Sequence, residues 1–85
     1  MVKRNKLEII KDILKIIQEN RNAIKITPLL RKSNLSSKRF YEYMKDFEEK
    51  KFIIKSEGKI KLLEKGKNYL EKYSSIVRFI EEFGL

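Results

Sequence analysis

Apolar positions recur at helical spacing through the first fifty residues. They switch to strict alternation near Phe52 and return to helical spacing after Lys65. In the first segment, Leu7, Ile10, Ile13, Leu14 and Ile17 share one face, with Ile9 and Ile16 widening it. That stripe predicts a core-facing helix from Asn5 to about Glu19. Asn5 can cap it, with Glu8 three residues on, and Asn20-Arg21-Asn22 ends it. Ala23 to Ile26 alternates and is long enough only for a brief strand. Thr27-Pro28 then reads as an N-cap followed by a proline at the first helical position. The expected second helix is short, from Pro28 to about Lys32.

The stretch Ser33-Asn34-Leu35-Ser36 reads as a turn between helices. Asn34 suits a left-handed residue after a helix end. Leu35 is a lone apolar plug, and Ser36 is an N-cap candidate, with Ser37 the second choice. A helix from Ser37 to about Lys50 should follow, burying Phe40, Tyr43, Met44 and Phe47. Short helix, tight turn and capped longer helix make a helix-turn-helix.

Alternation in Phe52–Ser56 and Lys59–Leu63 around Glu57-Gly58 predicts a two-stranded hairpin, or wing. Ile60 and Leu62 should face the body, and Lys59 and Lys61 the solvent. A last helix is expected from about Lys65 to Phe83. Its residues Leu70, Tyr73, Val77 and Ile80 form a seam spaced 3-4-3, and Tyr69, Ile76 and Phe83 form a second apolar line. Two lines on one helix call for two surfaces: the body for one and a second copy of the helix for the other. The expected fold class is therefore mainly α with a small β-hairpin, a winged helix-turn-helix followed by an amphipathic dimerisation helix. Residues 1–66 form the body and 67–85 the pairing element of a single domain.

Charge adds a division of labour. Residues 1–67 hold 19 Lys+Arg against 9 Asp+Glu, a net of +10; residues 68–85 hold 2 against 3, a net of −1. A cationic body calls for a polyanion, and a near-neutral tail lets two copies approach. The plain alternative is a lysine-rich solubilising surface. The chain has no Cys and no His, so disulfides, thiol nucleophiles and the usual metal ligands and general bases are missing. The three glycines are isolated, so no phosphate loop is present. Glu48-Glu49 and Glu81-Glu82 read as solvated charges. The expectation is a protein that is not an enzyme and takes no cofactor or small-molecule ligand. No apolar run reaches the ~18 residues of a membrane span. Met1–Lys6 lacks the apolar run of a signal peptide, so a cytoplasmic, nucleoid-associated protein is expected.

The expected partner is double-stranded DNA. The second helix of such a motif enters the major groove with its N-terminal residues at base edges. Here those are Ser36, Ser37, Lys38, Arg39, Tyr41 and Glu42. The serines and the helix N-terminus suit a phosphate, and Lys38 or Arg39 a guanine edge. Tyr41 suits a thymine methyl or a phosphate. Glu42 either reads a cytosine or limits non-specific attraction. Lys45, one turn on, suits the backbone, as do Lys55, Lys59 and Lys61 in the wing. Wing lysines also serve to protect a strand edge. Met1–Lys6 is either a basic arm or a frayed terminus. A protein–protein adaptor is the competing function, and RNA binding ranks lower for want of an exposed aromatic sheet.

Lys6-Leu7-Glu8-Ile9-Ile10, the Ser33–Ser36 turn, Phe40 with Tyr43-Met44, and Leu62-Leu63-Glu64-Lys65-Gly66 occur in an order that covers nearly the whole chain. In this the sequence resembles the archaeal winged-helix transcriptional regulators and the small archaeal winged-helix chromatin proteins. The resemblance implies DNA binding through the third helix and wing, with Ser36, Ser37, Lys38, Arg39, Tyr41 and Lys45 in recognition and Lys59 and Lys61 in the wing. It also implies a homodimer paired through the last helix as an antiparallel coiled coil. Where that family carries a threonine cap before the last helix, this chain has Leu63, and its last helix is shorter than in the chromatin proteins.

Overall fold

The computed structural model describes residues 4–85. Four helices and three strands follow in the order α1 (Lys6–Glu19), β1 (Ala23–Lys25), α2 (Ile26–Ser33), α3 (Ser37–Glu49), β2 (Ile53–Ser56), β3 (Lys59–Leu62) and α4 (Glu64–Glu82). The apolar stripe of α1 runs through the centre of the molecule. Ile9, Ile10, Ile13, Leu14 and Ile17 are buried against Leu29, Phe40, Met44, Phe47 and the inner face of the sheet. Asn5 Oδ1 accepts from the Glu8 amide (2.8 Å), as its position in the sequence predicts. Leu7 departs from its expected place in the stripe. It lies one residue outside the buried face, and its side chain is exposed.

The helix–turn–helix follows the sequence reading except at the start of α2. That helix begins at Ile26, with extended Lys25 as its cap and no side-chain bond to it, so Thr27 is not the N-cap and Pro28 is its third residue. The first four amides of any helix lack an internal partner, so a proline is tolerated anywhere in that turn and does not mark its first position. Asn34 takes the left-handed conformation (φ 58°, ψ 33°) that ends α2. Leu35 tucks against the core, and Ser36 Oγ accepts from the Arg39 amide (3.3 Å) to start α3.

The expected hairpin is one part of a three-stranded antiparallel sheet of order β1-β3-β2. The short segment after α1 pairs with β3 (Ala23↔Lys61, Ile24↔Ile60, Lys25↔Lys59), so β3 is central. This extra strand gives the hairpin the packing that two strands alone lack. Glu57 (φ 53°) and Gly58 (φ 75°) both take the positive φ of a tight type I′ turn.

α4 leaves the sheet at Gly66, which is buried. A β-carbon there would stand 2.7 Å from the Phe52 carbonyl oxygen and 2.6 Å from Leu62 Cδ1. Leu63 caps α4 without a side-chain bond. The proximal half of α4 packs on α1. Leu70 is buried, Tyr69 donates its hydroxyl to the Leu7 carbonyl (2.9 Å), and Tyr73 stacks beside Tyr69 with the Lys11 ammonium over its ring. Partial burial, with Tyr73 alongside, pushes the Tyr69 phenol upward and keeps it a donor.

Candidate nucleic-acid interface

The core-facing side of α3 is set by Phe40, Met44 and Phe47, all buried. Helical geometry then fixes what the other side presents. Lys38, Glu42, Lys45 and Glu49 form a line opposite the core, and every one is exposed. Ser37, Tyr41 and Glu48 lie on the flank toward the wing, where Lys55 Nζ reaches Glu48 (3.6 Å). Arg39 lies on the other flank, where it lines a depression of about 340 Å³ with Lys6, Glu42, Tyr43 and Asp46.

The charges along α3 are graded. Its first turn holds no acidic residue, so the N-terminal end of the helix favours an anion. Its last turn carries Glu48 and Glu49. An anionic partner therefore meets favourable potential only at the N-terminal half. Among the described residues, Lys38, Arg39 and Lys45 take part in none of the ion pairs, whereas Lys50 is held by Asp46 (2.9 Å). Tyr41 is half exposed and edge-on to Phe40, so its ring is anchored while its hydroxyl reaches solvent.

The sheet sorts the wing lysines by face. Directly opposed residues of antiparallel strands share a face. Lys59 and Lys61 lie on the outer face with Ile54 and Ser56, while Lys55 pairs across from Ile60 and turns to the α3 side. The same rule adds a residue that the sequence reading did not single out. Lys25 of β1 stands directly across from Lys59, so two ammonium groups that take part in no ion pair among the described residues share one exposed position in the ladder. Like charges in that relation repel. The signal was the alternation of Ala23–Ile26, which gave a strand but no partner.

The structure thus brings Ser36, Ser37, Lys38, Tyr41, Glu42 and Lys45 onto one exposed surface of α3, with Arg39 at its edge. It gathers Lys25, Lys59 and Lys61 on the outer face of the sheet. Of the basic N-terminal arm, residues 1–3 lie outside the described residues, and Arg4 turns inward to Asp12. The dimerisation candidates divide. Tyr69, Leu70, Tyr73 and Val77 are wholly or partly covered by this chain's own body; Ile76, Ile80 and Phe83 are exposed. With Phe79, which the sequence reading passed over, these three make one bare apolar stripe at 40–62% exposure. Among the described residues no helix is long and apolar enough to cross a membrane.

Four helices with a three-stranded wing, and a turn that projects a capped α3, define a winged helix-turn-helix. The chain matches that family over residues 3–81 and belongs to it. The fold is a DNA-binding one. A comparison with curated proteins gives no match.

Proposed function

We propose that this protein binds double-stranded DNA as a homodimer, with residues 1–66 making the contacts and 67–85 the pairing. The N-terminal half of α3 enters the major groove, and Lys25, Lys59 and Lys61 follow the flanking backbone. The observation that carries this reading is uncompensated charge on two separate elements. Lys38, Arg39 and Lys45 on α3 stand outside every ion pair among the described residues, and Lys25 faces Lys59 across the ladder. A solvated surface has no reason to hold like charges in register, and a phosphate backbone removes their repulsion.

The pairing half rests on Ile76, Phe79, Ile80 and Phe83, spaced 3-1-3 and bare on a segment of net charge −1. A second copy buries the same stripe isologously, and charge does not oppose it. Whether the dimer regulates particular sites or organises DNA generally follows from its selectivity. A regulator reads two half-sites about 34–36 Å apart or a multiple of that.

The test is duplex binding at two salt concentrations, on a palindrome-rich and a random pool, with solution mass measured alongside. Affinity that falls steeply with salt is expected. Preference for one pool identifies a regulator, and equal binding an architectural, nucleoid-associated protein. Replacing Lys38, Arg39 and Lys45 together by Ala should reduce the log–log salt slope by about 2–3 and leave the fold intact. No binding at low salt would refute the DNA reading and favour an adaptor that uses the α4 stripe for another protein.

A further inference from the structure

Among the described residues of the basic arm, Arg4 has its side chain committed within the fold on two sides. Its Nη1 donates to Asp12 Oδ2 of α1 (3.0 Å) and its Nη2 to the carbonyl of Ser33 (3.1 Å), the last residue of α2. The guanidinium therefore spans α1 and the C-terminus of α2, where a helix leaves carbonyls unpaired and favours a cation. Ser33 is itself nearly sealed from solvent. Its hydroxyl donates to the Leu30 carbonyl (2.7 Å) and accepts from the Leu35 amide (3.4 Å). Asn34 and Leu35 then deliver the chain to Ser36, the cap of α3. A single fork of hydrogen bonds thus ties the central helix to the turn that aims the recognition helix.

We propose that Arg4 and Asp12 are positioning residues for DNA binding: the Asp12–Arg4–Ser33 clasp fixes the turn and hence the pose of α3, and Arg4 is not a phosphate contact. The proposal rests on the DNA-binding reading above. It assigns Arg4 a role opposite to that of a basic arm reaching for the duplex. It also makes the sign for Asp12 counter-electrostatic. Removing a carboxylate from a DNA-binding protein ordinarily raises affinity, because the net charge becomes more positive. Here the same change releases Arg4 and slackens the turn, so affinity falls.

Two mild variants decide it. Arg4→Lys keeps the charge, but a point-like ammonium cannot bridge Asp12 and Ser33 as the planar fork does. Asp12→Asn keeps the shape and removes the charge. For each, duplex affinity is measured across a salt series, with the melting temperature recorded and amide hydrogen exchange followed at Leu35 and Phe40. The expected result is a loss of affinity of about threefold in both variants, equal to about 0.7 kcal/mol. The salt slope stays that of the natural chain, exchange at Leu35 and Phe40 is faster, and the protein remains folded at the assay temperature. Affinity of Arg4→Lys equal to that of the natural chain would overturn the proposal, as would tighter binding by Asp12→Asn. So would a slope lowered by about 0.9 in Arg4→Ala, the mark of one lost phosphate contact. If the natural chain binds no duplex at low salt, the DNA reading fails. The exchange rates then decide the clasp alone, with unchanged rates overturning it.

Discussion

Helices α3 and α4 are both amphipathic, and both bury one face in the same core, yet what they leave outside is opposite in kind. Beyond Phe40, Met44 and Phe47, α3 shows solvent only polar groups and a half-exposed tyrosine. Beyond Leu70, α4 runs off the body with Ile76, Phe79, Ile80 and Phe83 in the open. A polar face with unpaired cations costs nothing in water and gains from a polyanion. An apolar stripe costs about 25 cal/mol for each Å² left wet, so its natural complement is another apolar surface. The two helices therefore ask for different partners, one through charge and one through burial.

The largest effect that sharpens the contrast comes from one substitution made in each helix. Phe40 is fully buried, and Phe40→Ala should cost about 3–5 kcal/mol. Phe79 is more than half exposed, and Phe79→Ala should cost under about 0.5 kcal/mol in dilute solution. Urea unfolding at low and high protein concentration checks both. If α4 pairs with a second copy, the cost of Phe79→Ala grows with concentration, because the dimer is what the ring stabilises. A concentration-independent cost equal to that of Phe40→Ala would mean that the stripe is part of the monomer's own core.

The junction between the two behaviours lies at Gly66. A β-carbon there meets a backbone carbonyl, which cannot swing aside as a side chain would. Gly66→Ala should destabilise by about 1–3 kcal/mol through overpacking, whereas Ser74→Ala, exposed two turns later on the same helix, should stay within about 0.5 kcal/mol. Thermal denaturation of the pair tests whether the body's grip on α4 is concentrated at the sheet end. Equal effects would spread it along the helix.

The starts of the two helices differ as well. α3 is capped by Ser36, and α4 begins at Leu63 with no side-chain acceptor. Ser36→Ala should cost about 1 kcal/mol in urea unfolding, and its loss should appear first as faster amide exchange at Arg39. An effect near zero would mean that packing of Phe40 alone sets where α3 begins.

These starts also show which parts of the molecule were legible beforehand. Ser36 and Asn5 accept from amides three residues away and Asn34 sets its own backbone conformation, so their roles follow from local geometry, and the sequence alone placed them. The missing cap at Leu63 was visible as a departure from the family the sequence resembles. The start of α2 was misread because proline constrains a whole turn and does not single out one position in it. Lys25 and Arg4 were not legible as they stand in the fold, since Lys59 lies 34 residues from the one and Ser33 lies 29 from the other. Which residues meet across such gaps depends on the order of the sheet and the packing of α1, which no spacing pattern encodes. The α4 seam was found by its period, but period cannot say which of two apolar lines the body takes. The structure divides both lines along the helix: Tyr69, Leu70, Tyr73 and Val77 go to the body, and Ile76, Ile80 and Phe83 stay exposed together with Phe79.

The smallest effect concerns the ion pairs, where α3 and α1 part company. Among the described residues the charges at the start of α3 are in no ion pair, while Asp12 of α1 is paired with both Arg4 and Lys11, with Lys11 Nζ 2.7 Å from Asp12. Partial burial pushes the Asp12 carboxyl up. Hydrogen bonds from Lys11 and Arg4, with their charges, outweigh it and hold the group below the usual carboxylate range. A carboxyl whose folded value is depressed contributes stability that is fully present above its unfolded value of about 3.9 and is lost as pH falls through the folded one. The natural chain should therefore exceed Asp12→Asn in unfolding free energy, from urea unfolding at neutral pH, by less than about 1 kcal/mol, since solvent screens a partly exposed pair. That gap should close as pH falls below about 5, through the unfolded value and on to the lower folded one. A variant that removes the Lys38 charge instead, Lys38→Gln, should show no such closing gap over the same range, because no carboxylate is within ion-pair reach of Lys38 among the described residues. Equal pH profiles for the two variants would mean that the α1 pairs are as loosely held as the bare charges of α3, and the contrast between a committed and an uncommitted set of cations would fail.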